Sequence, residues 1–390
     1  MSLIRPRRTV ETHWAGRDTW EERAIKRRYA LWGLTLAVLL VVGGGTAWAW
    51  LRSRAAAPNP ALYTTTLAGT PAALAVDGRT GRVFVTSTRG GAGGAVLDED
   101  TGATLAGQAI PASALVVDER AGTIIAAGPA GVNMLDAASG RYLRTIPMGV
   151  TPSAIAGDAR TERAFVVDPG SNTVFMLDTR SGAVVGARSM LVTPASVTVD
   201  ATDDQAFVTT IDSPFVDVLD ARSGALVRTL VARASGGPLA VDGKSGHVFV
   251  LDSGGASVAM VDGRSGLVLR TILVGQFPVA VALDARRGRV YVVSRDSASS
   301  FNPTDTGSVS VIDTRTGAAL RTIPVGVDPV AVAVDADSGR VFVATRGGAS
   351  ETPDAWRWVP DWLRDKLPFL PPPGPRLHVF SPSVTALAAP

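Results

Sequence analysis

The sequence predicts an all-β molecule, a seven-bladed β-propeller closed by its N-terminal strand and preceded by one transmembrane α-helix. Three observations predict it. An aspartate that ends a short apolar run recurs seven times at nearly one spacing. A second aspartate, ending another apolar run, recurs between the first ones. The repeats are incomplete at both ends in complementary ways. Composition agrees: 390 residues, 46% hydrophobic and 19% charged, with 41 Gly and 25 Pro, are too apolar for a disordered chain and too turn-rich for a helical bundle. With no cysteine, a disulfide framework, a zinc ribbon, an iron–sulfur centre and thiol chemistry are excluded. Three histidines, His13, His247 and His378, leave no His-rich metal site and argue against a Ser-His-Asp enzyme.

In chain order, residues 1–29 are expected to be a cytoplasmic tail, 30–51 the membrane helix, 52–61 a linker and 62–390 the propeller. The run 30–51 has 22 residues without a charge. At 1.5 Å per residue it spans about 33 Å, enough for a bilayer's hydrocarbon. Trp32 at one end and Trp48 and Trp50 at the other stand where aromatic rings favour the headgroup interface. Arg17, Arg23, Lys26, Arg27 and Arg28 precede the run and only Arg52 and Arg54 follow it, which keeps the N-terminus in the cytoplasm and places the propeller in the periplasm or outside the cell. A cleaved leader, with "AWA" at 47–49 or "AAA" at 55–57 as its site, is the competing reading; the length of the apolar run favours a retained anchor. Just before it, Thr19 and Glu22 offer a capping box for a short cytoplasmic helix. The first 60 residues hold 10 of the 38 basic residues and 4 of the 35 acidic ones, leaving 28 basic and 31 acidic. A slightly acidic propeller does not fit a nucleic-acid partner.

The first-type aspartates are Asp77, Asp118, Asp158, Asp200, Asp242, Asp284 and Asp335, one for each of seven units. The second-type ones are Asp98, Asp136, Asp178, Asp220, Asp262 and Asp313. Each unit reads as four short strands, such as "AVAVD", "RVFV", "VSVID" and "ALRTIPVG", and a period near 42 residues is that of propeller blades. An Asp opening a turn accepts backbone N–H groups, and a glycine four positions on supplies the positive φ that returns the chain. All six second-type turns have that glycine, and five of the seven first-type turns do; Glu162 and Asp204 replace it in the others. Small Ala and Val in the first strand suit seven strands crowding one axis. An open solenoid of the same units would leave two sheet edges bare. The ends decide between them. The seventh unit is expected to end with a third strand at "LHVFS", 377–381, where Ser381 takes the second aspartate's place. The stretch 62–68 stands in register with outer strands and has no inner strands before it. It is therefore expected to complete the last blade.

The units resemble the YVTN-type β-propeller repeat, most visibly in "RAFVVDPGSNTVFMLDTRSGAVV" at 163–185 and across 289–335. The resemblance covers 61–390. The signature tetrapeptide departs from that family's pattern in "FVVD", "FVTT", "FVLD", "YVVS" and "FVAT", with Asp168 and Asp252 where Asn is usual. The resemblance implies a fold and an exported location, and no single reaction.

The tight Asp/Gly turns share one face and the second-to-third loops share the other. Length varies on that second face, with insertions at 294–308 in unit six and at 346–376 in unit seven. The unit-seven insertion holds Trp356, Trp358 and Trp362, and from Pro360 onward an amphipathic helix is expected, with Trp358/Trp362 and Val359/Leu363/Leu367 on one stripe. The expected function is a protein-binding or scaffold subunit that docks a membrane-associated partner through Phe301, Trp356, Trp358, Trp362, Leu363 and Phe369, with no cofactor and no metal. The alternative is a propeller enzyme of lactonase or quinoprotein type with an acidic site at the tunnel mouth. Asp168, Asp212, Asp252 and Asp296 are its candidates, weighed against a role as turn-capping residues.

Overall fold

The structure, a computed structural model, describes residues 61–87, 94–107, 110–295, 306–348 and 381–388. The tail, the apolar run with Trp32, Trp48 and Trp50, and the linker lie outside these residues. Among the described residues no helix is long and apolar enough to cross a membrane.

Every described element is a strand, and the sheets form a ring. Each innermost strand, beginning with Pro71–Asp77, packs on that of the next sheet, and the last returns to Pro71–Asp77. Prolines 71, 194 and 278 open three of these inner strands, where a residue without an N–H is tolerated at a strand's first position. Units one to five are separate four-stranded antiparallel sheets.

The expectation of seven separate blades needs correction. The remaining seven strands form one sheet, because Ala319–Val334 runs unbroken for 16 residues from unit six into unit seven. It pairs with Thr306–Asp313 through Ala319 to Val327 and with Val341–Gly348 through Val327 to Val334. Asp328, at φ 49°, and a register shift at Pro329 let the strand bend without ending.

The third strand of unit seven also differs from expectation. It is Ser381–Leu387, not 377–381, and Leu387 rather than Phe380 lies opposite Val341. Ala388, not Ser381, therefore takes the place of the second aspartate. Burial explains the choice, since Val384, Ala386 and Leu387 are all removed from solvent in this register. Ala61–Thr66 pairs antiparallel with this strand, Thr64 opposite Thr385 and Thr65 opposite Val384. The chain's first described strand is thus the outermost one beside its last.

The core lies between sheets. Phe165, Val174, Met176 and Met190 of unit three face Val197, Val208 and Leu219 of unit four in one cluster, and comparable clusters fill the other seams. At the closing seam, Leu74, Val83, Val85 and Leu97 meet Ala331, Phe342, Val384 and Ala386, with Tyr63 against them. Burying one such side chain contributes about 1.5–3 kcal/mol. Inside the seven-stranded sheet, Tyr291, Val293 and Val309 of unit six pack on Val332, Val343 and Leu387 of unit seven, so its two halves face each other.

Candidate functional site

The turns come first, because they fix what each carboxylate is free to do. In the second-type turns one oxygen of Asp98 accepts the N–H groups of Asp100 and Thr101 and the Thr101 hydroxyl, at 3.2, 2.8 and 2.7 Å. Asp136, Asp178, Asp220, Asp262 and Asp313 repeat the pattern, and these hydrogen bonds hold all six carboxyls below their usual range. The first-type aspartates are buried and capped in the same way, Asp77 by Arg79 N and the Thr80 hydroxyl, for example. At the two positions without glycine, Glu162 and Asp204 adopt φ of 55° and 53°, so the turn imposes the left-handed conformation on them.

Arginines link each tight-turn rim to its neighbour. Arg144, in an outer strand of unit two, donates to the carbonyls of Ser181 and Arg180 in unit three at 2.5 and 2.7 Å. Arg228 does the same to Gly263 of unit five, and Arg270 to Gly317 of unit six. At the closing seam Tyr63 stands in the arginine's place and its hydroxyl donates to Glu99 O at 2.7 Å. A cleft of about 540 Å³ lies between units two and three, lined by Arg120, Arg144, Arg180, Asp118 and Glu162. Its charges are largely engaged: Arg144 holds the turn above, and Arg180 pairs with Glu162.

On the opposite face, the described acidic candidates, Asp168, Asp212 and Asp252, stand at the ends of second strands in three different units. Asp168 ends a second strand and is buried, its Oδ2 accepting Ser171 N at 3.0 Å and the Ser171 hydroxyl at 2.5 Å. Asp252 ends another, and its Oδ1 accepts both N–H and O–H of Ser235. Asp212 follows a second strand in a left-handed turn, exposed, at φ 51°. Asp296 lies outside the described residues. Among the described residues no group of three or more His, Asp or Glu is placed to hold a metal ion.

The roots of the two insertions do converge. Thr306, Val327 and Gly347 are register partners in a single cross-strand row, and Ser381 lies opposite Gly348. With strands about 4.8 Å apart, residue 306 and residue 347 are separated by about 10 Å. Arg295, Asp328 and Arg346 sit at this row. Arg295 Nε is 3.0 Å from Asp328 Oδ1 and donates to Pro329 O at 3.2 Å, while Arg346 Nη1 is 3.7 Å from Asp328 Oδ2. The Arg295–Asp328 contact is an ion pair out of line for a hydrogen bond, since Oδ1 has no directed donor among the described residues. Burial holds the Arg295 guanidinium below its usual value, and the Asp328 charge opposes that shift. Phe301, Trp356, Trp358, Trp362, Leu363 and Phe369 lie beyond these roots, outside the described residues. The same end of the ring exposes Leu191, Val192, Ile211 and Phe215 around unit four, where Ile211 N donates to Thr193 O at 2.8 Å.

Sequence reasoning located the insertions but missed Arg295, Asp328 and Arg346 at their base. The signal was present, because "VGVDPVAV" puts an aspartate where no other unit has one before its inner strand. The ring of sheets fits a propeller repeat family, while no family model and no curated protein matches the chain.

Proposed function

We propose that this protein is a single-pass membrane protein presenting a propeller to the periplasm or cell exterior, and that it binds a protein partner through the face bearing 294–308 and 346–376. In this reading the seven-stranded sheet is two blades sharing the strand Ala319–Val334, which brings the ring to seven; the buried cluster between its halves supports that count. The observation that carries the docking reading is the common root of the two insertions, one cross-strand row pinned by Arg295, Asp328 and Arg346. Two insertions rooted in one cross-strand row can act on a single partner together, which is what favours docking over an isolated surface loop. The pairing of Ala61–Thr66 at the outer edge supports an entry of the chain into the propeller on the tight-turn face, opposite the face from which the two insertions depart.

Deleting 350–373 from the full chain tests this. The expected result is unchanged thermal unfolding with loss of the partner recovered by the intact chain in detergent pull-downs. Equal recovery of that partner by the deletion variant would overturn the reading.

A further inference from the structure

The seam that closes the ring carries a pair of carboxyl groups found at no other seam among the described residues. Unit one's second turn is Asp98-Glu99-Asp100-Thr101-Gly102. The residue at the Glu99 position is Ala137, Thr179, Ala221, Gly263 and Thr314 in the next five units. Glu99 is 5% exposed and Asp335, in the facing turn of unit seven, is 6% exposed. Ser338 bonds both of their carboxyl groups, its hydroxyl to Glu99 and its N–H to Asp335. Glu99 Oε1 accepts that hydroxyl at 2.8 Å, and Asp335 also accepts the N–H of Asp337. From the first turn of unit one, Gly78 comes so close that a Cβ there would lie 2.4 Å from Asp335 Oδ1. From the closing strand, the Tyr63 hydroxyl bonds Glu99 O, and the Thr65 hydroxyl bonds Gly102 O at 2.7 Å.

Two carboxylates in such a site resist ionising together, so one proton is retained between them to higher pH than a lone carboxyl would hold it. The surrounding charges favour retention. Among the described residues Arg340 is the one cation at the pair, 3.6 Å from Glu99 Oε1, and it is also engaged by Asp100. Asp98 stands on the Glu99 turn. Asp77, Asp337 and Asp335 together raise the neighbouring Glu119, after burial.

We propose that the Glu99–Asp335 pair is a proton-operated latch on the ring: with one proton shared, the seam between units one and seven is shut, and loss of that proton loosens the closing strand. Burial pushes Glu99 up to about 7, the facing Asp335 adding to the shift, while hydrogen bonds hold Asp335 below its usual range against its own burial. The sign follows. Glu99, raised in the folded chain, contributes stability present below its unfolded value of 4.5 and lost as pH rises through about 7. Asp335, depressed, contributes stability that is lost only at more acid pH. The latch is therefore tightest in mild acid.

Hydrogen exchange on the full chain in detergent, followed at the amides of 61–66 and corrected for intrinsic exchange, tests this. Between pH 5.5 and 8.5 the opening constant of the closing strand is expected to rise about 30-fold, while units three and four do not change. Glu99→Gln keeps a donor for Asp335 and an acceptor for Ser338, so it should hold the protected level at both pH values. Asp335→Asn should shrink the pH dependence, because the facing charge that adds to the Glu99 shift is gone while burial remains, and it serves if the first variant folds poorly. A wild-type chain without the pH dependence, a dependence surviving Glu99→Gln, or an undiminished one in Asp335→Asn would overturn the latch.

Discussion

Tyr291 is the only tyrosine in a position that five other units fill with phenylalanine: Phe84, Phe165, Phe207, Phe249 and Phe342. Its side chain is 1% exposed, and its hydroxyl is buried with no hydrogen-bond partner among the described residues. A buried polar group without a partner costs about 1–3 kcal/mol relative to its solvated state. Tyr291→Phe removes that cost, and the slot already accepts a phenyl ring elsewhere in the repeat. The lost contacts of one oxygen offset part of the gain, so the expected net is a stabilisation of about 1–2 kcal/mol. For a folded unit of this size that corresponds to a rise in Tm of about 1.5–3 °C, read by calorimetry on the full chain in detergent. The reciprocal change, Phe249→Tyr, buries a hydroxyl at the equivalent point and should destabilise by a similar amount. If Tyr291→Phe lowers Tm, the hydroxyl has a partner and the reasoning fails.

The inter-sheet arginines give a second expectation. Arg228→Ala should destabilise by about 1.5–3 kcal/mol, because charge-assisted bonds to Gly263 O and to Gln205 are lost together; Arg228→Lys, lacking the planar fork, should recover less than half in chemical denaturation. A third concerns alkaline pH. Burial pushes Tyr63 up to about 12 from the usual 10, and a group raised in the folded chain gives stability that is lost as pH climbs from 10 through 12. With Tyr63 partly open to solvent, about 1–2 kcal/mol should disappear over that range in the wild-type chain, and this loss should be missing from the stability curve of Tyr63→Phe.

How much of this was legible depends on whether the cause is local. The turns were readable residue by residue, since an aspartate's acceptor geometry and a glycine's positive φ act within five residues; even the exceptions, Glu162 and Asp204, sit where the glycine was missing. The closing strand was readable from the count of units, and Ala61–Thr66 nearly coincides with the expected 62–68. The third strand of unit seven was misplaced because "LHVFS" and "SPSVTAL" alternate equally well. Only pairing with distant residues 341–348 chooses between them. The unbroken strand Ala319–Val334 was hidden by Asp328-Pro329, which reads as a break and is in fact a bend. The role of "LRT" in successive outer strands was missed as well, because an arginine's reach to the next sheet has no signature in the period. Among the candidate site residues, Asp168 caps its own turn through Ser171, while Asp252 accepts from Ser235, just ahead of its unit's inner strand.

Closure of the ring by its own first strand is tested most directly by a disulfide across it. Thr64 and Thr385 are register partners with hydroxyl oxygens 3.2 Å apart, and the chain has no cysteine to confuse the result. Directly paired antiparallel residues have Cα atoms about 4.5–5.5 Å apart, within disulfide range. The double variant Thr64→Cys/Thr385→Cys should oxidise intramolecularly and quantitatively, and its Tm should fall on reduction. Two thiols that stay free under oxidant in the folded chain, or that link only between molecules, would contradict the closure.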